Sequence, residues 1–518
     1  MILVPLLHHL DMSPSLCQVN GFLREYIISR SMEENLVFAL EGSSRKSLHR
    51  TGRHLAIHES WDRDQNVFKS LNFSRLRSLT VFGAFFISDK NKMELLRVLD
   101  LEDTSGVTNT EVERMVKLLP LLKFLSLRRC VEITHLPDSL GNLKQLQTLD
   151  VRGTDVTKLP KSIIKLEKLQ YIRAGATLTM EGDASTPSPS ESPSSDNDNG
   201  NVERVPPSTP PPPATESTSV SGDGNGVVET PTPTPPPAAA AAKCKPGANL
   251  VPDCLSKLWG QRRLDGGSHN GVRLPPGIGK LSNLHTLGVV NIIAAAKDGV
   301  LEELKNLTQL HKLGVSGINQ NNIQMFFSAI SRLAHLKCLS LQLQIDADNQ
   351  RPGCLDAISM KPMKNVRSLK LYGLLSKLPV WIKEFPNVKN LSLQMTMVRQ
   401  DVIDSLESVG FLGSLRLFVA KIEEDKLQFS RSGPRMVFLE ISSNTRSKAT
   451  IMFTESSDYP QVLRIRCGRV SPLQISGLEH LYELKEVWVS GPCDNDHKEH
   501  FYSERRKYPE RTDQANLF

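Results

Sequence analysis

Residues 136–175 read LPDSLGNLKQLQTLDVRGTDVTKLPKSIIKLEKLQYIRAG. One pattern passes through this stretch twice. Leu146-Leu149-Val151 and Leu169-Ile172-Ala174 each have the form L-x-x-L-x-L, and each follows a Leu-Pro turn, at Leu136-Pro137 and Leu159-Pro160. The last two apolar positions lie two residues apart. On a strand both point to one face, while the residues between and after them point to the other. Proline presets the turn, and the next Leu/Ile pair packs a short helical segment beneath the following strand.

The same template recurs on both sides. Upstream it stands at Leu76-Leu79-Val81, Leu96-Leu99-Leu101 and Leu122-Leu125-Leu127, with a partial copy at Leu55-Ile57. Downstream it resumes at Leu284-Leu287-Val289, Leu310-Leu313-Val315, Leu336-Leu339-Leu341, Val366-Leu369-Leu371 and Val388-Leu391-Leu393. Degenerate copies follow at Leu415-Phe418-Ala420, Met436-Leu439-Ile441, Val462-Ile465-Cys467 and Leu484-Val487-Val489. The spacings are 20, 26, 24 and 23 residues, then 26, 26, 30, 22, 27, 21, 26 and 22. This is the leucine-rich-repeat range with irregular lengths. One repeat closes no core by itself; stacked repeats bury a continuous leucine spine. The predicted fold is an α/β leucine-rich-repeat solenoid, with a curved parallel sheet on the concave face and short helices and loops on the convex face. Cys130, three residues after Leu127, holds a place where a small polar side chain satisfies turning backbone; Thr104, Thr154 and Thr396 are its equivalents. Leu274-Pro275-Pro276-Gly277-Ile278 and Leu378-Pro379-Val380-Trp381-Ile382 repeat the Leu-Pro turn.

Between the two blocks the composition changes. Residues 181–242 hold 14 of the 32 prolines and no Leu, Ile, Phe, Tyr, Trp or Met. Five valines bury too little apolar area to offset backbone ordering at roughly 1–2 kcal/mol per residue, so disorder is expected there. A loop in a repeat array tolerates such an insertion, because closure cost grows only logarithmically with length. Nine acids against the single base Arg204 give this segment a net charge of −8. The whole chain carries +7, which leaves +15 for the rest. No compact basic run or aromatic platform accompanies that charge, so a solvated basic surface is expected rather than a nucleic-acid site.

The chain shows no catalytic constellation: no Walker loop, no G-x-S-x-G, no H-E-x-x-H and no kinase set. Eight cysteines without a C-x-x-C pair fit neither a disulfide scaffold nor a zinc module. No apolar run reaches the length of a membrane span, and the start lacks a basic region and cleavage site. A cytoplasmic binding scaffold, not an enzyme, is expected, with no metal and no small-molecule substrate.

LPDSLGNLKQLQTLDVRGTDVTKLPKSIIKLEKLQYIRAG, with LPPGIGKLSNLHTLGVV, LEELKNLTQLHKLGVSGIN and LPVWIKEFPNVKNLSLQMT, resembles the repeat region of plant nucleotide-binding leucine-rich-repeat disease-resistance proteins of the coiled-coil class abundant in grasses. The likeness covers residues 17–175 and 271–493. Cys17-Gln18-Val19-Asn20-Gly21 is similar to the family's C-x-V-H-D motif at the end of the winged helix, whose His and Asp help hold ADP. Here Val19 is followed by Asn20 and Gly21, and Gly21 removes the carboxylate. The nucleotide-binding domain has no counterpart in this sequence, so the resemblance implies no cofactor of the chain's own, a truncated member, and a switch carried by another protein. The chain then divides into a winged-helix remnant (1–45), N-terminal repeats (46–175), a Pro/Ser/Thr/Ala-rich insertion and linker (176–270), C-terminal repeats (271–493) and a polar tail (494–518).

In the family the repeats restrain the nucleotide-binding core and recognise pathogen effectors or guarded host proteins. The resemblance therefore implies a protein partner of one of three kinds: a pathogen effector, a guarded host protein or a full-length nucleotide-binding immune receptor. The recognition surface maps to outward strand positions Asp100, Glu102, Ser126, Arg128, Asp150, Arg152, Arg173, Lys370, Tyr372, Ser392 and Gln394. Glu102 and Arg128 share a column on adjacent coils, within pairing reach across strands about 4.8 Å apart. An extracellular receptor ectodomain would need a signal peptide, a regular 24-residue period with G-x-I-P, and capping disulfides. A ubiquitin-ligase substrate adaptor would need an F-box ahead of the repeats. Neither pattern is read here.

Overall fold

The computed structural model describes residues 37–41, 52–85, 93–175, 271–344 and 360–490, with breaks at 298, 408, 410–411, 425, 431–435, 444–448, 455–458 and 468–472, and isolated positions at 4–5, 17–18, 499 and 503. The Val19-Asn20-Gly21 motif, the expected disorder of 181–242 and the polar tail's bulk lie outside the described residues.

One strand per coil builds a sixteen-stranded parallel sheet. Its first half comprises β1 (Val37–Leu40), β2 (His54–Ile57), β3 (Ser78–Val81), β4 (Val98–Asp100), β5 (Phe124–Ser126), β6 (Thr148–Asp150) and β7 (Tyr171–Arg173). Its second half comprises β8 (Thr286–Asn291), β9 (Lys312–Ile318), β10 (Cys338–Leu343), β11 (Ser368–Leu374), β12 (Asn390–Val398), β13 (Leu412–Ile422), β15 (Met436–Ser443), β17 (Val462–Cys467) and β19 (Glu486–Ser490). Three further strands, β14 (Lys426–Phe429), β16 (Ala449–Phe453) and β18 (Leu473–Ser476), form a second parallel sheet. The register stacks template on template: Leu125 pairs with Leu149, and Leu149 with Ile172. Leu76, Leu79, Leu99, Leu127 and Leu149 are all fully buried, so the leucine spine is the core.

The array runs straight across the proline-rich stretch. β7 pairs with β8 through Tyr171–Thr286 and Ile172–Leu287. Asn283 Nδ2 donates to the Glu167 carbonyl at 2.9 Å, tying the two coils at their edge. β1 pairs with β2 through Phe38–Leu55 and Leu40–Ile57, so the sheet starts ahead of residue 46, inside the stretch expected to be a winged-helix remnant.

The Leu-Pro turns act as their chemistry implies. Pro137, Pro160 and Pro379 stand just before the 3-10 segments Asp138–Asn142, Lys161–Lys165 and Val380–Glu384, with φ between −66° and −72°. In the Leu274 copy Gly277 takes this place with φ +87°, a left-handed turn that suits glycine. The Cys130 Sγ donates to the Leu101 carbonyl at 2.9 Å and the Thr104 hydroxyl to the Val81 carbonyl at 2.8 Å, each reaching the coil before its own. Thr154 instead donates within its own coil, to Val151. Thr396 does not join them: it is exposed within β12, because that strand continues to Val398 and the turn comes later.

Two template copies are corrected. β13 aligns Leu415 with Leu391 and Leu417 with Leu393, so its repeat is Leu412-Leu415-Leu417 rather than Leu415-Phe418-Ala420. β17 aligns Leu463 with Leu439 and Ile465 with Ile441, a shift of two residues from Val462-Ile465-Cys467. Both stretches are apolar enough to fit more than one frame, and lateral pairing chose between them. With the right frame, Leu391, Leu415, Leu439, Leu463 and Val487 are each 24 residues apart. The convex side of these coils keeps the expected short helices, at Gln400–Glu407 and Leu478–His480, and adds the strands β14, β16 and β18, which bury Leu427, Phe429, Ile451, Phe453 and Ile475.

Candidate protein-binding site

The positions between and after the paired core residues form lateral columns. Asp100, Ser126, Asp150 and Arg173 lie side by side on β4 to β7. Glu102, Arg128 and Arg152 form the next column, at the strand exits. The pairing expected between Glu102 and Arg128 is present at 2.8 Å. Arg129, unremarked in the sequence, joins it: its guanidinium lies 3.2 Å from Glu102 and 3.3 Å from Asp103. Arg129 and Asp103 both have φ near 60°, and Gly153 takes the same turn with φ 71°. A left-handed arginine costs about 1–2 kcal/mol, which its two carboxylate contacts offset.

Asp150 is the hub of this group. Arg152 grips it bidentately, Nε to Oδ1 at 2.9 Å and Nη2 to Oδ2 at 2.6 Å, and Arg173 approaches at 3.7 Å. Burial works against the Arg152 charge, but the hydrogen bond and field of Asp150 outweigh it and its pKa is raised. At Arg128 burial wins: its pKa is lowered, with Glu102 opposing the shift and Arg152 and Arg129 adding to it.

Exposure corrects the expected surface. Ser126 and Asp150 are 3% exposed, Ser392 6% and Tyr372 9%, so these four are not free outward contacts. Parallel strands set side chains of one column in van der Waals contact, and long neighbours cover short ones. Burial raises the Tyr372 pKa, opposed by a hydrogen bond with Ser340 and by Arg416. Asp100, Glu102, Arg128, Arg152, Arg173, Lys370 and Gln394 remain partly exposed.

A second cluster escaped the sequence reading. On β13, β15, β17 and β19 the corrected frame places Arg416, Glu440, Arg464 and Trp488 in one column. Glu440, 4% exposed, meets Arg416 at 3.3 Å and Arg466 at 2.9 Å. Arg416 and Arg464 both lie over Phe438, at 5.3 and 5.8 Å. Arg464 also lies over Trp488 at 5.5 Å, and the Trp488 indole donates to Glu486 at 2.9 Å. The three-residue shift in Leu415-Phe418-Ala420 turned Arg416 inward, while Val462-Ile465-Cys467 left Arg464 ahead of the positions between and after its paired core residues.

Among the described residues no group of three metal-ligating side chains converges, and no helix is long and apolar enough to cross a membrane. Stacked leucine coils with a polar open sheet face define a leucine-rich-repeat scaffold. The family model for the leucine-rich repeat region matches residues 75–184 and 251–511, more than half of the chain, and the chain belongs to that family. Disease resistance protein Pik-2 of Oryza sativa subsp. japonica is 26% identical over 417 residues, covering 79% of this chain and 35% of that protein. Disease resistance protein RGA4 of the same organism is 34% identical over 158 residues, 30% of this chain and 15% of its own length. The chain thus spans about a third or less of these relatives, and its repeats are akin to those of plant disease resistance proteins, as the sequence resemblance implies. The leucine-rich-repeat protein LIC12759 of Leptospira interrogans aligns over 86% of this chain and 90% of its own, at 15% identity and a TM-score of 0.35.

Proposed function

We propose that the chain serves in plant innate immunity as a cytoplasmic, non-catalytic protein-binding scaffold. Its partner is a pathogen effector, a guarded host protein or a nucleotide-binding immune receptor that it regulates. The observation that carries this reading is the ordered charge group on β4 to β7. Glu102, Arg128, Asp150, Arg152 and Arg173 are held in place by one another before any partner arrives. Such preorganisation lowers the entropic cost of binding. The 24-residue period of the last coils recurs in extracellular receptors, but the stretches after β13, β15 and β17 carry no G-x-I-P, which supports the intracellular reading.

Pull-downs from leaf extract, with captured proteins identified by mass spectrometry, test the reading. Glutamine is the right replacement at Arg128 and Arg173, because a new carboxylate would face Glu102 or Asp150. Recovery of a specific partner should fall several-fold in the double variant while the melt stays within about 0.5 kcal/mol of the parent. Undiminished recovery with an intact fold would refute the assignment.

A further inference from the structure

Arg464 is held without an acceptor. Its guanidinium stacks against Phe438 and Trp488, and among the described residues it makes no ion pair and no hydrogen bond. Its pKa is lowered, by burial first, with Glu440 opposing and Arg466 and Arg416 adding to the shift. An arginine presents five N–H donors in a planar fork that fits a carboxylate bidentately, and aromatic stacking fixes the fork while leaving its edge open. Arg416 and Arg466 flank it, and both are paired with Glu440.

We propose that the open face of β13, β15, β17 and β19 is a docking site for an acidic protein segment, one of whose carboxylates is taken by Arg464. This deepens the protein-binding reading and rests on it. Three arginines against Glu440 and Glu486 still leave a local excess of positive charge, in line with the +15 carried outside residues 181–242. Charge complementarity of this kind steers and selects acidic partners. Arginine and tryptophan are also the side chains that dominate binding energy at protein interfaces. A nucleic acid fits less well, because Phe438 is already engaged by two arginines and offers no platform for a base.

The test is fluorescence anisotropy with the full chain at ~150 mM salt, where long-range charge effects are screened. The probes are a labelled oligo-glutamate peptide, its glutamine counterpart and a single-stranded oligonucleotide. The glutamate peptide should bind and the glutamine peptide should not. Arg464→Gln should weaken binding about tenfold, as expected for losing a charge-assisted hydrogen bond. Arg464→Lys, which keeps the charge but not the fork, should fall in between, and Lys117→Gln, on the exposed face of the helix Asn109–Leu118, should leave it unchanged. Equal binding by Arg464→Gln and the parent, or tighter binding of the oligonucleotide, would overturn the proposal. If peptide binding survived Arg464→Gln while leaf-partner capture still depended on Arg128 and Arg173, this site would fall and the protein-binding reading would stand; loss of leaf-partner capture together with peptide binding would bring down both.

Discussion

Two stretches of this solenoid use the same template to different ends. From β3 to β7 the strands have three or four residues, the coils differ in length, and 3-10 turns support the later ones. From β12 to β19 the period is a constant 24 residues, the strands are longer, and a second parallel sheet lies behind the first. Each region buries one acid in the same kind of column and gives it two arginines: Asp150 with Arg152 and Arg173, Glu440 with Arg416 and Arg466. The difference is the arginine left over. Around Asp150 every guanidinium is paired with a carboxylate, whereas Arg464 feels Glu440 and Glu486 without pairing and is held by aromatic rings. In both regions the strands pair in register, so the difference lies in which residues occupy the column and not in the regularity of the coils.

The sharpest way to break this contrast is to test the frame of β13. Leu417→Ala should cost about 2–5 kcal/mol, the range for opening a cavity in a packed spine. Phe418→Ala, half-exposed on the open face, should cost about 1 kcal/mol. Urea unfolding of both variants reads the difference, and the reverse order would restore the frame that sequence alone suggested. A smaller loss follows from removing either hub. Asp150→Ala and Glu440→Ala should each cost about 1–3 kcal/mol, because two arginines lose a buried acceptor. Were Glu440→Ala neutral, the C-terminal cluster would be a surface ornament rather than a counterpart of Asp150.

Alkaline pH separates the regions again. Burial pushes the Cys130 thiol up to about 12 from its ordinary 9.0, with its hydrogen-bonded environment at Thr104 opposing. The unfolded chain therefore loses that proton first as pH rises, and stability present below about pH 9 declines toward pH 12. By ~pH 10 the loss should be about 1.4 kcal/mol, and Cys130→Ala should abolish this share of it in parallel melts. The smallest effect belongs to the stretch between the blocks. Deleting residues 181–242 should change stability by under about 1 kcal/mol, since loop closure depends only logarithmically on length. A large drop in the melting temperature would mean that this segment supports the pairing of β7 with β8.

What was legible in the sequence followed from leucine spacing. Residues 136–175 are so regular that only one frame buries every leucine, and β6 and β7 take that frame. The Glu102–Arg128 pair was legible for the same reason, because column neighbours on clean templates are fixed by arithmetic. Near residues 415 and 462 the apolar residues are dense enough to satisfy shifted frames, and there local pattern carried too little information.

By itself the amino-acid sequence determined that this is a repeat solenoid with a leucine spine, since a one-residue slip on a half-buried strand would turn its apolar face to water. Tertiary structure alone decided which frame the later coils take, that Asp150, Ser126, Ser392 and Tyr372 are covered by their neighbours, and that Arg464 meets Phe438 and Trp488. Those outcomes depend on contacts between residues a full coil apart. Their energies come from lateral register across the sheet, which no window along the chain contains.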